Sequence, residues 1–308
     1  MGPLPRIVAI FGPTGVGKTE VAVALAERLR AVGEDPVAIS ADALQVYEGL
    51  EILTGAASAE ERRRLEHRLV GVLPVTATFS AGEYARRAHA EIDALLEQHR
   101  RPIVVGGTGL YLRAALATLD LRPPVPPAIR ERRTRELAER GAEALHQELS
   151  RRAPATAEGI RPGDAQRIIR ALELLDAGHE PPPPANAPSQ LWTADTRHPT
   201  LLAGLTMKRD ALHAQIDRRV EAMVRAGARE DVVRAAAAGA SPGARQALGF
   251  DELLAGDVAA MQQRTRRYAK RQLTWMRKLP GVLLLDVTDR RPEDVADELH
   301  RALREREA

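Results

Sequence analysis

The sequence predicts an α/β fold with a doubly wound parallel sheet and a mostly helical insertion domain. Short apolar runs alternate with helical patterns, which is typical of parallel βαβ units. A glycine-rich segment, residues 12–19, follows the first apolar run and precedes a helical pattern, as a phosphate-binding loop does. Two proline-rich breaks, at 121–127 and 180–188, enclose the insertion. Together these features predict a P-loop NTPase-like core.

Strands are predicted where four to six apolar or small residues stand together. They are residues 6–11, 36–40, 102–105, 201–206 and 282–287. Helical patterns fill the segments from Thr19 to Arg30, from Ser80 to about His99, from Arg209 to Lys278 and from Pro292 onward. Ser80 and Glu83 have the spacing of a capping box, which predicts where the second of these helices begins.

The proline-rich breaks also predict the domain boundaries. Residues 1–120 and 190–308 are expected to form the catalytic core, and residues 121–189 the helical insertion. Within the insertion, residues 128–178 have a continuous helical pattern, and Gly178 is a candidate for ending the last helix.

Composition limits the class of protein. The 308 residues are 44% hydrophobic and 28% charged, which is ordinary for a globular protein. Cysteine is absent, so disulfides and thiolate metal sites are excluded, and the histidines lack the spacing of a zinc site. No apolar run approaches the roughly 20 residues that span a bilayer. We therefore expect a cytoplasmic protein that has no membrane partner.

The segment GPTGVGKT fits the phosphate-loop pattern G-x-x-x-x-G-K-[ST] in full. Glycines allow consecutive backbone N–H groups to face one anion, and the following helix N-terminus adds partial positive charge. Lys18 would neutralise phosphate oxygens, and the Thr19 hydroxyl suits Mg²⁺. A chance glycine turn is the alternative. The predicted diphosphate-binding residues are Gly12, Pro13, Thr14, Gly15, Val16, Gly17, Lys18 and Thr19.

Asp42 and Thr108 follow the second and third strands. In a doubly wound sheet, ligands bind outside the carboxyl ends of the strands, so both side chains would approach whatever the loop holds. Asp42 could accept a proton from an attacking group, and Thr108 could hydrogen-bond a phosphate oxygen or the nucleophile. The alternative for each is a helix cap. Because the third strand ends in Gly-Gly-Thr rather than Asp, ATP hydrolysis is disfavoured.

Three segments are rich in basic residues: 128–140, 164–173 and 264–278. Arg167 and Arg170 share a helix face by their spacing, and on their own they indicate a solvated surface. Tyr268 and Trp275 are two helical turns apart, which favours packing against the core rather than stacking on a base. Nucleic-acid binding by these segments remains open from the residues alone.

Several motifs along nearly the whole chain, taken together, indicate a known family. They are GPTGVGKT, SADALQVYEGL (40–50), PIVVGGTGLYL (102–112), DAQRIIRALE (164–173), Arg209 and Leu212 before IDRRVEAM (216–223), ALGFDELLAG (247–256) and RYAKRQLTWMRK (267–278). In this order they resemble the tRNA isopentenyltransferase (IPP transferase) family.

The resemblance implies transfer of a dimethylallyl group from dimethylallyl diphosphate to the N6 amine of an adenosine beside the anticodon. It implies a tRNA anticodon stem-loop as partner. We expect Mg²⁺ as cofactor, because the Thr19 hydroxyl suits it, and a monomer, because nothing in the sequence calls for a dimer. Asp42 would be the general base, Thr108 would contact the reacting centre, and Arg209 the diphosphate. The residues implied to contact tRNA are Asp42, Ala43, Leu44, Gln45, Thr108, Arg130, Gln166, Arg167, Ile168, Ile169 and Arg170.

The chain departs from the family pattern around the second strand. Glu48 stands where the family usually has Arg, and Glu66 replaces the first His of a His-His pair. The family's Asp-Ile-Gly-Thr-Ala-Lys becomes Glu-Ile-Leu-Thr-Gly-Ala at 51–56, without the lysine. Three other functions stay open at this point: a small-molecule kinase, a prenyltransferase of free adenine nucleotides, and a non-catalytic RNA-binding module.

Overall fold

A computed structural model describes residues 5–183 and 190–307 of the chain. It divides into two compact units, Met1–Leu119 with Leu191–Ala308, and Asp120–Gln190. The predicted proline-rich break at 180–188 lies partly outside the described residues. No helix in the described ranges is long and apolar enough to cross a membrane.

The first unit contains a six-stranded sheet in the order β3-β2-β4-β1-β5-β6, in which every pair of neighbours is parallel. The predicted doubly wound parallel sheet is confirmed. β3 was not predicted, because two residues are too few to form an apolar pattern. The strands are β1 Ile7–Phe11, β2 Pro36–Ser40, β3 His67–Arg68, β4 Arg101–Gly106, β5 Thr200–Thr206 and β6 Leu283–Asp286.

Helices join these strands. The helices of the first unit are α1 Lys18–Ala31, α2 Glu51–Thr54, α3 Ala59–Arg64, α4 Ala81–Glu97, α5 Gly109–Leu116, α9 Arg209–Arg225, α10 Ala228–Ala237, α11 Phe250–Leu254, α12 Val258–Met276 and α13 Pro292–Glu307. The short helices α2 and α3 carry too few residues for a periodic pattern, so the sequence did not indicate them. Ser80 caps α4 as predicted, accepting a hydrogen bond from the Glu83 N–H at 3.1 Å, whereas the Glu83 carboxylate accepts from Arg87.

The register of the sheet brings the strand ends together. Phe11, the last residue of β1, pairs with Gly106 of β4 on one side and Gly204 of β5 on the other. Ser40, the last residue of β2, pairs with Val105. A Cβ at Gly106 would clash with the Ala41 carbonyl oxygen, so glycine is what allows the chain leaving β2 to pass this close to β4. Consequently the segments after β1, β2 and β4 meet at one edge.

The second unit is helical. Its helices are α6 Pro127–Arg152, α7 Pro154–Glu158 and α8 Ala165–Asp176. The prediction that residues 128–178 are wholly helical is wrong in three places. Gly141 adopts φ 77° and ψ 165°, which interrupts α6. Ala153, with φ −150° and ψ 73°, separates α6 from α7, and residues 159–164 separate α7 from α8. Gly178, with φ 74°, follows the end of α8, as its sequence position indicated.

Candidate active site

The loop of residues 12–19, here called the phosphate loop, joins β1 to α1. Gly15 and Gly17 have φ of 82° and 93°, values that favour glycine. Lys18 folds back along the loop, and its Nζ donates to the carbonyl oxygens of Gly12 and Pro13 at 3.0 and 2.9 Å. The lysine is therefore held over the loop by backbone carbonyls, which a more strongly bound anion could replace.

Lys18 lies in a strongly positive part of the site. Burial and, after it, the nearby Arg219 guanidinium lower the pKa of its amine to about 8, while Asp42 and Glu20 oppose the shift. Two cations are thus placed close together in a poorly solvated region. That arrangement is unfavourable alone and becomes favourable when a multiply charged anion binds between them.

Asp42 lies in the turn after β2 and does not cap a helix. Its Oδ1 accepts the Leu44 N–H at 2.9 Å, which fixes the carboxylate next to the backbone of the turn. Burial raises the pKa of Asp42, and the N–H groups of Leu44 and Gln45 and the charges of Lys18 and Arg219 limit the rise. A carboxylate with a raised pKa is a better proton acceptor than an exposed aspartate.

Gln45 supports this turn from below. Its Oε1 accepts the Ser40 hydroxyl at 2.7 Å, and its Nε2 donates to the Gly55 carbonyl oxygen at 3.3 Å. Gln45 belongs to the segment that is predicted to contact tRNA, but its side chain forms hydrogen bonds within the protein. Leu44 packs against the core.

Thr108 occupies the N-cap position of α5, but its side chain does not cap that helix. Instead the hydroxyls of Thr108 and Tyr268 lie 2.8 Å apart. Tyr268 belongs to α12, the helix of the basic segment 264–278. Burial and, after it, the Asp42 charge raise its pKa to about 12. The phenol therefore stays protonated, and Tyr268 shares the environment of the predicted base.

Gln272 is the second residue of α12 that reaches the site, one helical turn after Tyr268. It is buried, and its Oε1 accepts the Thr14 N–H of the phosphate loop at 2.8 Å. A Cβ at Gly107 would overlap the Gln272 Nε2, so this amide also lies against the segment after β4. One face of α12 therefore joins the phosphate loop to the loop that carries Thr108.

The other face of α12 is basic. Its exposed cationic side chains are Arg267, Lys270 and Arg271, and the exposed Arg277 and Lys278 follow directly after the helix. Trp275 points inward, because a Cβ at Gly109 would lie 2.8 Å from its ring. Tyr268 and Trp275 thus face the protein interior, as the sequence indicated, but Tyr268 also contributes a hydroxyl to the site.

Arg209 and Arg219 both lie on α9. Arg209 is the exposed first residue of the helix, just beyond the end of β5, and its predicted contact with a diphosphate stays a prediction. Arg219 was not predicted. Its Nη2 donates to the Gly55 carbonyl oxygen at 3.1 Å, and its charge acts on both Lys18 and Asp42. The position of Arg219 near the site follows from the fold and not from the sequence pattern.

The remaining residues predicted to contact tRNA belong to the second unit. Arg130 donates through Nε to Oε1 of the buried Glu173 at 3.0 Å, and Arg170 donates to the Pro123 carbonyl oxygen at 2.8 Å. Gln166 and Arg167 are exposed. Ile168 is fully buried in the core of this unit, so its side chain holds α8 in place rather than facing a ligand.

The donor set for a metal ion is small. Thr19 is the second residue of α1, beside Lys18. Within residues 5–183 and 190–307 no group of three or more His, Cys, Asp or Glu side chains is arranged to hold a metal. A cation at this loop would take most of its ligands from a bound phosphate and from water, which is the usual coordination of Mg²⁺.

Comparison with known proteins adds independent findings. Residues 45–279 match the family model described as IPP transferase. A tRNA dimethylallyltransferase of Thermobifida fusca is 39% identical over 310 residues, covering 97% of this chain and 93% of that protein. One of Rhodospirillum centenum is 41% identical and covers 88% of each chain.

Solved structures agree. The full-length tRNA isopentenylpyrophosphate transferase of Bacillus halodurans superposes with a TM-score of 0.68 at 31% identity, covering 98% of this chain and 97% of that one. A eukaryotic dimethylallyltransferase acting on tRNA gives a TM-score of 0.71 at 25% identity, covering 92% and 74%. The fold is therefore shared with these proteins.

Proposed function

Because this chain belongs to the IPP transferase family, we propose that it transfers a dimethylallyl group from dimethylallyl diphosphate to the N6 amine of an adenosine beside a tRNA anticodon. The resemblance that the motifs indicated is confirmed, and so is its class as a transferase. The observation that carries the proposal is the meeting, at one sheet edge, of the phosphate loop and the Asp42 carboxylate.

The chemistry follows from this juxtaposition. The N6 nitrogen forms a bond to C1 of the dimethylallyl group while the bond from C1 to the diphosphate oxygen breaks. Asp42 accepts the N6 proton, and inorganic pyrophosphate leaves. Negative charge grows on the leaving group, and the phosphate-loop N–H groups together with Lys18 stabilise it. The pKa of Asp42, raised by burial, suits it to accept the proton.

Thr108 and Tyr268 form a hydroxyl pair, and the Asp42 charge acts on the Tyr268 phenol. We assign this pair the positioning of the adenosine amine. The Tyr268 hydroxyl holds Thr108 through the 2.8 Å contact, so the Thr108 oxygen keeps one orientation. A fixed orientation lowers the entropy cost of reaching the transition state. The adenosine must leave its base stack to enter a site of this kind.

Mg²⁺ would bind to the donor diphosphate, with the Thr19 hydroxyl as its protein ligand. The ion supplies positive charge to the leaving group when bound. We place the enzyme in the cytoplasm as a monomer that binds the anticodon stem-loop, and the exposed cations of α12 are suited to contacts with RNA phosphates.

A labelled donor tests the proposal. The protein is incubated with labelled dimethylallyl diphosphate, Mg²⁺ and either tRNA lacking the modification or AMP. We expect label in tRNA, at the adenosine beside the anticodon, and none in AMP. Label in AMP alone, or ATP hydrolysis without transfer of the dimethylallyl group, would contradict the proposal and favour a nucleotide prenyltransferase or a kinase.

A further inference from the structure

Gln272 is a buried amide that the reaction described so far does not use. It is 2% exposed, and it is the only amide among the buried polar side chains of residues 5–183 and 190–307. Burying an amide costs free energy unless its donor and acceptor atoms are hydrogen-bonded. An aliphatic residue would avoid that cost in a buried position, so the partners of the amide indicate its role.

Both partners of the amide belong to the site. The Gln272 Oε1 accepts the Thr14 N–H of the phosphate loop at 2.8 Å. A backbone N–H only donates, so the amide oxygen faces the loop and the amide nitrogen faces away from it. The Gln272 side chain is also hydrogen-bonded to the Tyr268 hydroxyl, one helical turn away. Because the amide nitrogen only donates, the phenol oxygen accepts this second hydrogen bond.

The hydrogen bonds continue to Thr108. The hydroxyls of Tyr268 and Thr108 lie 2.8 Å apart. Because the Tyr268 oxygen accepts from the amide, its own proton can be donated to the Thr108 oxygen, which leaves the Thr108 proton for a ligand. Four groups therefore form one chain of hydrogen bonds, from the phosphate loop to the residue expected to contact the reacting centre. Hydrogen bonds in such a chain strengthen one another.

The helix α12 also lies directly against the loop that carries Thr108. A Cβ at Gly107 would lie 2.2 Å from the Gln272 Nε2. A Cβ at Gly109 would lie 2.8 Å from the Trp275 ring. The glycines on both sides of Thr108 thus make room for two side chains of the same helix. The spacing between the phosphate loop and Thr108 is therefore set by α12, and Gln272 is a side chain that contacts both segments.

We propose that Gln272 is a positioning residue, which fixes the phosphate loop relative to the hydroxyl pair and thereby sets the approach of the amine to the donor carbon. The inference rests on the proposed function, because the loop is taken to hold the diphosphate and the hydroxyl pair the adenosine. A concerted displacement at C1 needs the attacking nitrogen and the leaving oxygen in line. A small shift between the two binding elements would disturb this alignment and slow the reaction without weakening the binding of either ligand.

The test compares single-turnover transfer at saturating donor and tRNA in the wild type, Gln272→Met and Gln272→Glu. Methionine has a similar length and forms neither hydrogen bond. Gln263→Met is the matched control, because Gln263 is an exposed glutamine on the same helix. Binding of inorganic pyrophosphate with Mg²⁺ and the midpoint of thermal unfolding are measured on the same samples.

Gln272→Met is expected to lower the transfer rate by about 10-fold or more, while its pyrophosphate affinity stays within about 3-fold of the wild type. Gln263→Met should match the wild type in all three measurements. Adding Tyr268→Phe to Gln272→Met should cause little further loss, because the chain of hydrogen bonds is already broken. A wild-type rate in folded Gln272→Met would overturn the inference. So would a loss of pyrophosphate affinity as large as the loss of rate, since Gln272 would then only support the phosphate loop.

Gln272→Glu decides the question if Gln272→Met does not fold. A protonated carboxyl has both the acceptor and the donor of the amide, whereas an ionised carboxylate only accepts. The rate of this variant relative to the wild type should therefore rise as the pH falls, and the ratio removes the titration of Asp42, which both proteins share. A ratio that does not change with pH would contradict the inference. Failure of the proposed function looks different, because the wild-type protein then transfers no label to tRNA.

Discussion

Two arginines of this molecule, the buried Arg133 in the second unit and the partly buried Arg219 in the first, have opposite surroundings. Arg133 is hydrogen-bonded to Asp176 at 2.6 Å, to Glu136 at 2.6 Å and to Glu148 at 2.8 Å. Burial would lower its pKa, but Asp176 and Glu148 raise the pKa above the ordinary value. Arg219 has a backbone carbonyl as its partner, and burial lowers its pKa.

The two surroundings differ in how the charge is compensated. Around Arg133 the charge is compensated by carboxylates in direct contact, so the cluster ties α6 to α8 and needs no ligand. Around Arg219 and Lys18 the carboxylates Asp42 and Glu20 act only at longer range, so we expect an anion from outside to bind there. The pKa values of the carboxylates differ in the same way. Hydrogen bonds to arginines hold the pKa of Asp176 well below its usual range, although burial would raise it. Burial raises the pKa of Asp42.

The largest expected effect comes from removing the carboxylate on the binding side. Asp42→Ala should lower kcat by about 10²-fold or more, because the N6 proton then has no positioned acceptor. The free energy of unfolding should stay within about 1 kcal/mol of the wild type, because Asp42 forms no short ion pair. Single-turnover transfer and urea unfolding measure the two quantities. A kcat within a few-fold of the wild type would remove Asp42 from the role of base.

In the second unit, removing a carboxylate is expected to change stability rather than activity. Asp176→Ala should lower the free energy of unfolding of the second unit by about 3 kcal/mol, the low end for breaking a buried ion pair, because Glu148 and Glu136 still contact Arg133. Hydrogen exchange of α6 and α8 gives the measurement. Glu180→Ala is the control, since that carboxylate is 88% exposed, and it should change nothing measurable. Unaltered exchange in Asp176→Ala would mean that the cluster around Arg133 adds little stability.

The hydroxyl pair should give a smaller effect. Tyr268→Phe removes the partner of Thr108 without altering the packing of the ring, and we expect kcat to fall by about 3- to 10-fold, the equivalent of one hydrogen bond. The donor KM should not change. Thr274→Ala, on the outer face of the same helix, serves as the control. Combining Tyr268→Phe with Thr108→Val should add little to the loss from Thr108→Val alone; additive losses would show that the two hydroxyls act separately.

The smallest effect concerns pH. The deprotonated form of Asp42 is active and burial raises its pKa, so kcat should begin to fall at a higher pH than an ordinary aspartate, with a pKa of 3.8, would allow. Asp176 has a lowered pKa. Its contribution to stability is therefore lost only as the pH falls through this lowered pKa, below the pH at which an ordinary aspartate is protonated. Activity should therefore disappear before the second unit unfolds, as followed by pH–rate profiles and circular dichroism. Simultaneous loss would contradict this order.

The parts of the site that lie in continuous motifs or directly after strands could be predicted from the sequence. The phosphate loop is a continuous motif, and Asp42 and Thr108 could be placed because each follows a strand of a parallel sheet. The roles assigned to these residues, to Arg209 and to the arginines of the second unit remain predictions. Their positions at strand and helix ends nevertheless follow from the alternation of apolar runs and helical patterns.

The rest depends on contacts between distant segments. Gln272 reaches the phosphate loop across 258 residues, and Tyr268 reaches Thr108 across 160. In the sequence these two residues are part of a basic helix, and nothing in that pattern shows which side faces the site. Arg219 stands beside Arg218 in the sequence, and only the packing of Ile216 on Gly15 determines which of them points inward.

A crystal structure of the protein with pyrophosphate and Mg²⁺ tests most directly whether Arg219, unlike Arg133, contacts an anion from outside. The Lys18 Nζ should leave the carbonyl oxygens of Gly12 and Pro13, and both it and a guanidinium nitrogen of Arg219 should lie within hydrogen-bond distance of pyrophosphate oxygens, while Arg133 keeps its carboxylates. A pyrophosphate bound in the loop with Arg219 still directed only at the Gly55 carbonyl oxygen would contradict the account.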